Sequence, residues 1–271
     1  MEASNTRVLL TGASGGIGKC IVSNLIESGA SVLLHSRSFT QLEAYAEQAS
    51  LPESRFQLIE GELTDQADLA RIASEAKDFG INTLINNAGI NAFEPFEASD
   101  IQSIVNVNVI ATMQLTQSLL PHFQTLPEAI IFNIGSTFGS IGFAGYVTYS
   151  ATKHAIKGFS EALRRELADS NIRVLYISPR ATATKMNGAN VNEVNIEMNV
   201  HTDSPELVAR EVIDSLRRSL TTKQLGWPEK LQVKLNALFP GIVDAALKKQ
   251  LHIIKKHIST NLNQKKPTQH E

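Results

Sequence analysis

Short apolar runs alternate with longer segments of helical period along most of this chain. Val8-Leu9-Leu10 precedes a glycine-rich turn, and from Ile17 to Ser28 the apolar residues Ile17, Ile21, Leu25 and Ile26 recur at helical spacing. Val32-Leu33-Leu34 reads as the next strand, Gln41 to Ala49 as a helix, and Phe56 to Ile59 as a third strand. Asp65 to Phe79 is again helical, with Leu69, Ile72 and Ala76 on one face. Thr83-Leu84-Ile85 predicts a buried strand, Ile101 to Leu120 a long helix and Ala129 to Ile134 a fifth strand. Tyr149 to Ala168 predicts a helix and Val174 to Ile177 a sixth strand. Strands that are apolar throughout, separated by helices, predict an α/β fold. The expected architecture is a Rossmann-like, doubly wound parallel sheet in three layers, as a single domain over residues 1–228.

After Pro179 the alternation weakens. Residues 181–203 are rich in Thr, Asn and Gly and read as a long loop or lid. A helix from Pro205 to Leu220 follows, then at best a short seventh strand near Gln224-Leu225. Residues 229–260 read as a basic, amphipathic helical extension, and the polar stretch 261–271 as a disordered tail. Between Pro240 and Ile258, the residues Val243, Leu247, Leu251, Ile254 and Ile258 share one helical face. Lys248-Lys249 and Lys255-Lys256 lie a heptad apart on another. Two readings of this segment are open. It packs on the domain with a solvated Lys face, or it lies on an anionic membrane or against an acidic carrier.

Composition narrows the function classes. With 271 residues, 42% apolar and 19% charged, the chain fits a soluble globular protein with a sizeable core, not a disordered, collagen-like or coiled-coil one. The net charge of −2 hides an asymmetry. From Thr221 onward nine Lys face three acids, a local +6 that leaves −8 on the rest. A uniformly basic nucleic-acid binder is therefore disfavoured, and no nucleic-acid partner is expected. The one cysteine, Cys20, allows no intramolecular disulfide, and the seven His show no HxxxH or HxxxC spacing, so no metal site is expected. No apolar stretch approaches ~20 residues, and the first apolar run breaks at Thr11-Gly12, too early for a signal peptide. The expected address is the cytoplasm, peripheral to a membrane only under the second reading of the extension.

Two clusters carry candidate chemistry. The turn Thr11-Gly12-Ala13-Ser14-Gly15-Gly16-Ile17-Gly18 sits between the first strand and first helix. Glycines there let the backbone turn tightly and approach a pyrophosphate at the helix N-terminus, which favours dinucleotide binding. The second strand ends at His35-Ser36-Arg37, with no acid at 35–38 to bind ribose hydroxyls and a planar cation suited to a 2′-phosphate. This favours NADP(H). The other cluster is Ser136, Tyr149 and Lys153. Tyr149 and Lys153, four apart on a helix, project from one face, and a cation beside a phenol makes it a usable acid–base group near neutral pH.

With these motifs in order, the chain resembles the short-chain dehydrogenase/reductase family from about Arg7 to Met186. The glycine turn looks like its TGxxxGxG motif, Asn86-Asn87-Ala88-Gly89 like its NNAG, and Tyr149-Ser150-Ala151-Thr152-Lys153 like its YxxxK, with Ser136 thirteen residues before Tyr149. Asn108 falls where the family has its catalytic Asn. The resemblance implies reduction of a ketone, or oxidation of the matching secondary alcohol. Tyr149 would donate the proton, Ser136 would hold the carbonyl oxygen, Lys153 would lower the Tyr149 pKa and hold the ribose, and Asn108 would anchor a water in a proton relay. It also implies cofactor contacts from Gly12, Ser14, Gly16, Ile17, Gly18, Arg37, Asn87, Ala88 and Gly89, and from Tyr149, Lys153, Pro179, Thr182 and Thr184. Glu62-Leu63 stands near the adenine where the family usually has Asp and an apolar residue. Pro179-Arg180 replaces the family's Pro-Gly, and that cation suits either an anionic substrate or an acid on the lid. A lipid-like or 3-oxoacyl substrate and a homodimer or homotetramer are expected. The rival class is a sensor or scaffold that binds NADP(H) without catalysis, which has no use for the Tyr149 phenol.

Overall fold

The computed structural model describes residues 5–184 and 186–265, by backbone alone for 189 and 259–265. Seven strands form one parallel sheet: β1 (Arg7–Leu10), β2 (Ser31–Ser36), β3 (Phe56–Glu60), β4 (Thr83–Asn86), β5 (Ala129–Ile134), β6 (Ile172–Ser178) and β7 (Thr222–Gln224). Their order is β3-β2-β1-β4-β5-β6-β7. The helices are α1 (Gly16–Glu27), α2 (Phe39–Gln48), α3 (Gln66–Phe79), α4 (Ile101–Val105), α5 (Ala111–Gln124) and α6 (Val147–Glu166). Then come α7 (Ala189–Glu197), α8 (Pro205–Arg218), α9 (Glu229–Leu238) and α10 (Pro240–Lys265).

Alternation along the strands builds the layers. Val8, Leu10, Val32, Leu34, Phe132 and Ile177 face one side, where Ile21, Val22 and Leu25 of α1 and Val208 and Val212 of α8 cover them. Leu9, Leu33, Leu84, Ile131 and Val174 face the other, under Leu69 and Ile72 of α3 and Leu115 and Leu119 of α5. Local signals set the helix ends. The Asp65 carboxylate accepts from the Ala67 and Asp68 N–H groups to start α3, Gly80 ends it at φ +73°, and Ser204 caps α8 ahead of Pro205. Because β1 pairs with β2 on one side and β4 on the other, the chain reverses direction there and opens a crevice at the strands' carboxyl ends.

Three sequence expectations need correcting. The predicted helix 101–120 is α4 and α5 joined by a π-helical turn, Asn106–Ile110, and it runs on to Gln124. The lid is not all loop: its weak helix formers Asn190, Asn192 and Asn195 sit in α7, which is held by burial of Val194 rather than by propensity. The tail expected from 261 is helical to Lys265, and 266–271 lie outside the described residues.

The apolar stripe of the extension faces inward. Val243, Ile254 and Ile258 are buried, the last two against Phe93, Tyr146 and Val194. Buried His257 meets Glu197 of α7 at 2.8 Å and Lys256 meets it at 2.9 Å. The stripe therefore serves the packed reading of the segment, and it also braces the lid. Ile254→Ala should lower the unfolding free energy by about 2–4 kcal/mol, as loss of a core isoleucine does. Leu238→Ala, at an exposed site, should change it by about 0.5 kcal/mol or less. Urea denaturation of both variants measures this, and equal effects would contradict the packing.

Candidate active site

The glycine turn and the strand that follows it in the sheet are tied by one threonine. Thr11 Oγ1 accepts from the backbone N–H groups of Asn87 and Ala88, both at 3.0 Å. The Asn87 amide donates back to the Thr11 and Gly12 carbonyls, both at 3.1 Å. Gly12 has φ +66°, and a Cβ there would stand 2.9 Å from Ala88 Cα. A Cβ on Gly18 would overlap the Gly12 carbonyl oxygen. Neither position has room for a side chain. Gly15 gives α1 no side-chain cap, so the first N–H groups of the helix lack intrahelical partners beside the cavity. At the end of β2, the Ser14 and Ser36 hydroxyls lie 2.7 Å apart, with Arg37 exposed beside them. Uncapped N–H groups, close backbone and a distal cation fit a dinucleotide phosphate backbone.

Four sequence-predicted residues converge at the carboxyl ends of β4 and β5. Ser136 follows β5 and its Oγ accepts from the Phe138 N–H at 3.2 Å. Tyr149 and Lys153 stand one turn apart on α6, with Lys153 Nζ 5.6 Å from the centre of the Tyr149 ring. Lys153 is buried and donates to the Ile134 carbonyl at 3.1 Å. Burial pushes its pKa down to about 8 and pushes Tyr149 up to about 12, only partly offset by Ser136, so the lowered Tyr149 pKa expected from Lys153 is reversed here by desolvation.

Asn108 differs from the other three. It is buried behind the cavity wall, in the π-helical turn that rotates its side chain toward Ile90. Its Oδ1 accepts from the Ile90 N–H and its Nδ2 donates to the Ile90 carbonyl, both at 2.8 Å, and Nδ2 also donates to Thr152 Oγ1 at 3.1 Å. Asn108 thus fixes the backbone just after Asn87-Ala88-Gly89. Thr11, Thr152 and the Ile134 carbonyl hold the site together without being assigned by any sequence expectation. Thr11 opens the glycine motif and Thr152 lies inside the Tyr–Lys motif, so position was the available signal.

Every expected cofactor residue lines one cavity of about 1290 Å³: Gly12, Ser14, Gly16, Ile17, Gly18, Arg37, Glu62, Leu63, Asn87, Ala88, Gly89, Tyr149, Lys153, Pro179, Thr182 and Thr184. A pocket for one drug-sized ligand takes roughly 300–1,000 Å³, and this one is larger. Thr184 packs on Gly16, bringing the lid to the turn. Arg180 meets Asp203 of the lid at 2.7 Å and Glu229 of α9 at 3.1 Å, and donates to the Trp227 carbonyl at 3.1 Å. Of the two uses open to this cation, the structure shows the pairing with a lid acid. Without Arg180, the buried Asp203 carboxylate would lose its closest cation.

A family model described as short chain dehydrogenase matches residues 6–195. The chain belongs to the short-chain dehydrogenase family. It is 30% identical over 220 residues to the ketoacyl reductase HetN of Nostoc sp., covering 79% of this chain and 76% of that one. It is 30% identical over 227 residues to the NADP-dependent 3-hydroxy acid dehydrogenase of Schizosaccharomyces pombe, covering 78% and 86%. A short chain dehydrogenase from Burkholderia cenocepacia, solved in complex with NADP, superposes with a TM-score of 0.75 at 26% identity, covering 85% of this chain and 100% of that one.

Burial of Lys153 makes the stability of the fold depend on pH. An unfolded Lys titrates near 10.4, so between about pH 8 and that value the unfolded chain holds a proton the folded chain has released, and stability gains with pH. The unfolding free energy of the wild type minus that of Lys153→Met should rise from about pH 7 to about pH 9.5. A flat or falling difference would mean that Lys153 keeps an ordinary pKa.

Proposed function

We propose that this oxidoreductase is an NADP(H)-dependent reductase of lipid-like or 3-oxoacyl ketones, running in reverse on the matching secondary alcohols. The observation that carries the reading is the Tyr149 phenol, grouped with Ser136 and buried Lys153 on the wall of one cavity that joins the glycine turn to an apolar chamber. When bound, NADPH supplies the hydride that reaches the carbonyl carbon. Tyr149 donates its phenolic proton to the carbonyl oxygen as charge develops there, while the Ser136 hydroxyl donates a hydrogen bond to the same oxygen. A pKa raised by burial keeps the phenol protonated at neutral pH, the state that reduction requires. The Lys153 ammonium stabilises the phenolate left behind. Asn108 is a positioning residue, holding the Ile90 backbone beside the reacting groups.

The substrate class rests on the far wall of the cavity. Phe93, Phe143 and Tyr146 face Val194 and Met198 of the lid and Leu247 of α10, an apolar chamber suited to an acyl chain. The named activities of the Nostoc and Schizosaccharomyces relatives support oxo and hydroxy acyl compounds. Exposed Ile101, Ile110, Met113 and Val147, on α4, the π-helical turn, α5 and α6, support a homo-oligomer assembled through that part of the molecule. A non-catalytic binder would leave the Tyr149–Ser136–Lys153 set without a use.

Tyr149→Phe should cut kcat at least a hundredfold while leaving the Kd for NADPH within about threefold, because the hydroxyl serves proton transfer. Turnover near wild type would reject Tyr149 as the acid. Arg37→Ala should weaken NADPH binding about tenfold or more and leave NADH nearly unchanged, by loss of a charge-assisted contact to the 2′-phosphate. Titration calorimetry with both nucleotides measures it, and equal losses would remove Arg37 from phosphate recognition.

A further inference from the structure

We propose that the outer face of α9 and the α9–α10 corner form a docking surface for an anionic lipid bilayer at the rim of the catalytic cavity. Single exposed apolar side chains are ordinary, but clustering is not. Of thirteen exposed large apolar residues among those described, five fall within the sixteen residues from Trp227 to Ile242. Trp227 is 69% exposed, Leu231 56%, Leu238 72%, Phe239 57% and Ile242 56%.

Helix geometry aligns two of them, and Trp227, Phe239 and Ile242 flank α9 at its two ends. Leu231 and Leu238 are seven apart and point within about 20° of each other on α9, with Lys234 about 60° to one side. Leu235, about 40° to the other side, lines the cavity, as does Ile242 beyond the corner. One edge of this face therefore borders the cavity and the other is basic. The inward stripe of α10 is already used in packing, so the corner residues are surplus to the core. Among the described residues no helix is long and apolar enough to cross a membrane, which makes the contact peripheral.

Charge selects the occupant. The segment from Thr221 carries +6 on a chain that is otherwise −8, with Lys234 exposed on α9 and Lys248 and Lys249 exposed on α10, Lys249 seven residues after Ile242 and so on its helical face. An anionic headgroup layer complements that pattern. A second copy of the chain docked by twofold symmetry would instead set the lysine-flanked face against itself. In the bilayer arrangement the cavity opens toward the lipid, where a long acyl substrate is concentrated.

The chain has one tryptophan, so Trp227 reports directly on the surface. Full-length protein is mixed with vesicles of phosphatidylcholine, or of phosphatidylcholine with phosphatidylglycerol. Sedimentation and tryptophan emission are read at low and high salt. The expected result is cosedimentation with the anionic vesicles at least tenfold above the neutral ones, a blue shift of Trp227 emission, and release at high salt. Leu231→Ser combined with Leu238→Ser and Phe239→Ser, all outside the cavity lining, should lower vesicle binding at least tenfold without changing the circular-dichroism spectrum. Lys234→Gln with Lys248→Gln and Lys249→Gln should remove the preference for anionic lipid. Absent vesicle binding, or a serine variant that binds like wild type, would overturn the proposal. So would a serine variant whose only change is a smaller oligomer by light scattering, which would assign the face to a second copy. No substrate or cofactor enters the assay, so its outcome is separate from that of ketone reduction.

Discussion

A parallel sheet leaves unpaired backbone donors and acceptors along its carboxyl edge, and buried polar backbone must find partners. The architecture of this site follows from how they are met. Thr11 takes the N–H groups of Asn87 and Ala88, and Asn108 takes both backbone groups of Ile90. Lys153 donates to the Ile134 carbonyl, and the Thr137 N–H donates to the Pro179 carbonyl at 2.8 Å. Each bond joins two chain segments remote in sequence. The edge that results is rigid where a cofactor and a reacting carbonyl must be held to fractions of an ångström.

A polar network beneath the edge extends this bracing into the core. Asn86 of β4 donates to Asn133 of β5 at 2.8 Å, and Asn133 donates to Ser160 of α6 at 2.8 Å. The second Asn86 contact, to Thr116 of α5 at 3.2 Å, closes the set. Fully buried amides are costly unless satisfied, so this network fixes the position of α6 against the sheet. Tyr149 and Lys153 ride on that helix. Their pKa shifts, upward for the phenol and downward for the ammonium, come from the desolvation such close packing imposes.

Much of this was legible in the sequence, because period and motif are local. Six of the seven strands were read as runs of apolar residues, and the glycine turn, Asn87-Ala88-Gly89 and Tyr149–Lys153 are contiguous motifs. What escaped depends on distant partners. The π-helical turn around Asn108 is set by Ile90 and Thr152, and no periodicity announces it. The α7 helix exists in an Asn-rich stretch because Val194 is buried beneath α10 and Glu197 meets His257. Arg180 was visible as a departure, but its partners Asp203 and Glu229 are 23 and 49 residues away. The stripe of α10 is plain in the sequence as a stripe; only the tertiary structure says which way it faces.

The most direct measurement follows the hydrogen itself. The protein is incubated with NADPH carrying deuterium at C4 of the nicotinamide and a series of 3-oxoacyl thioesters of increasing chain length, and the products are read by mass spectrometry. One deuterium on the carbinol carbon, with conversion improving as the chain fills the apolar chamber, is the predicted result. NADPH that binds the protein yet transfers no deuterium to any ketone in the series would contradict the account.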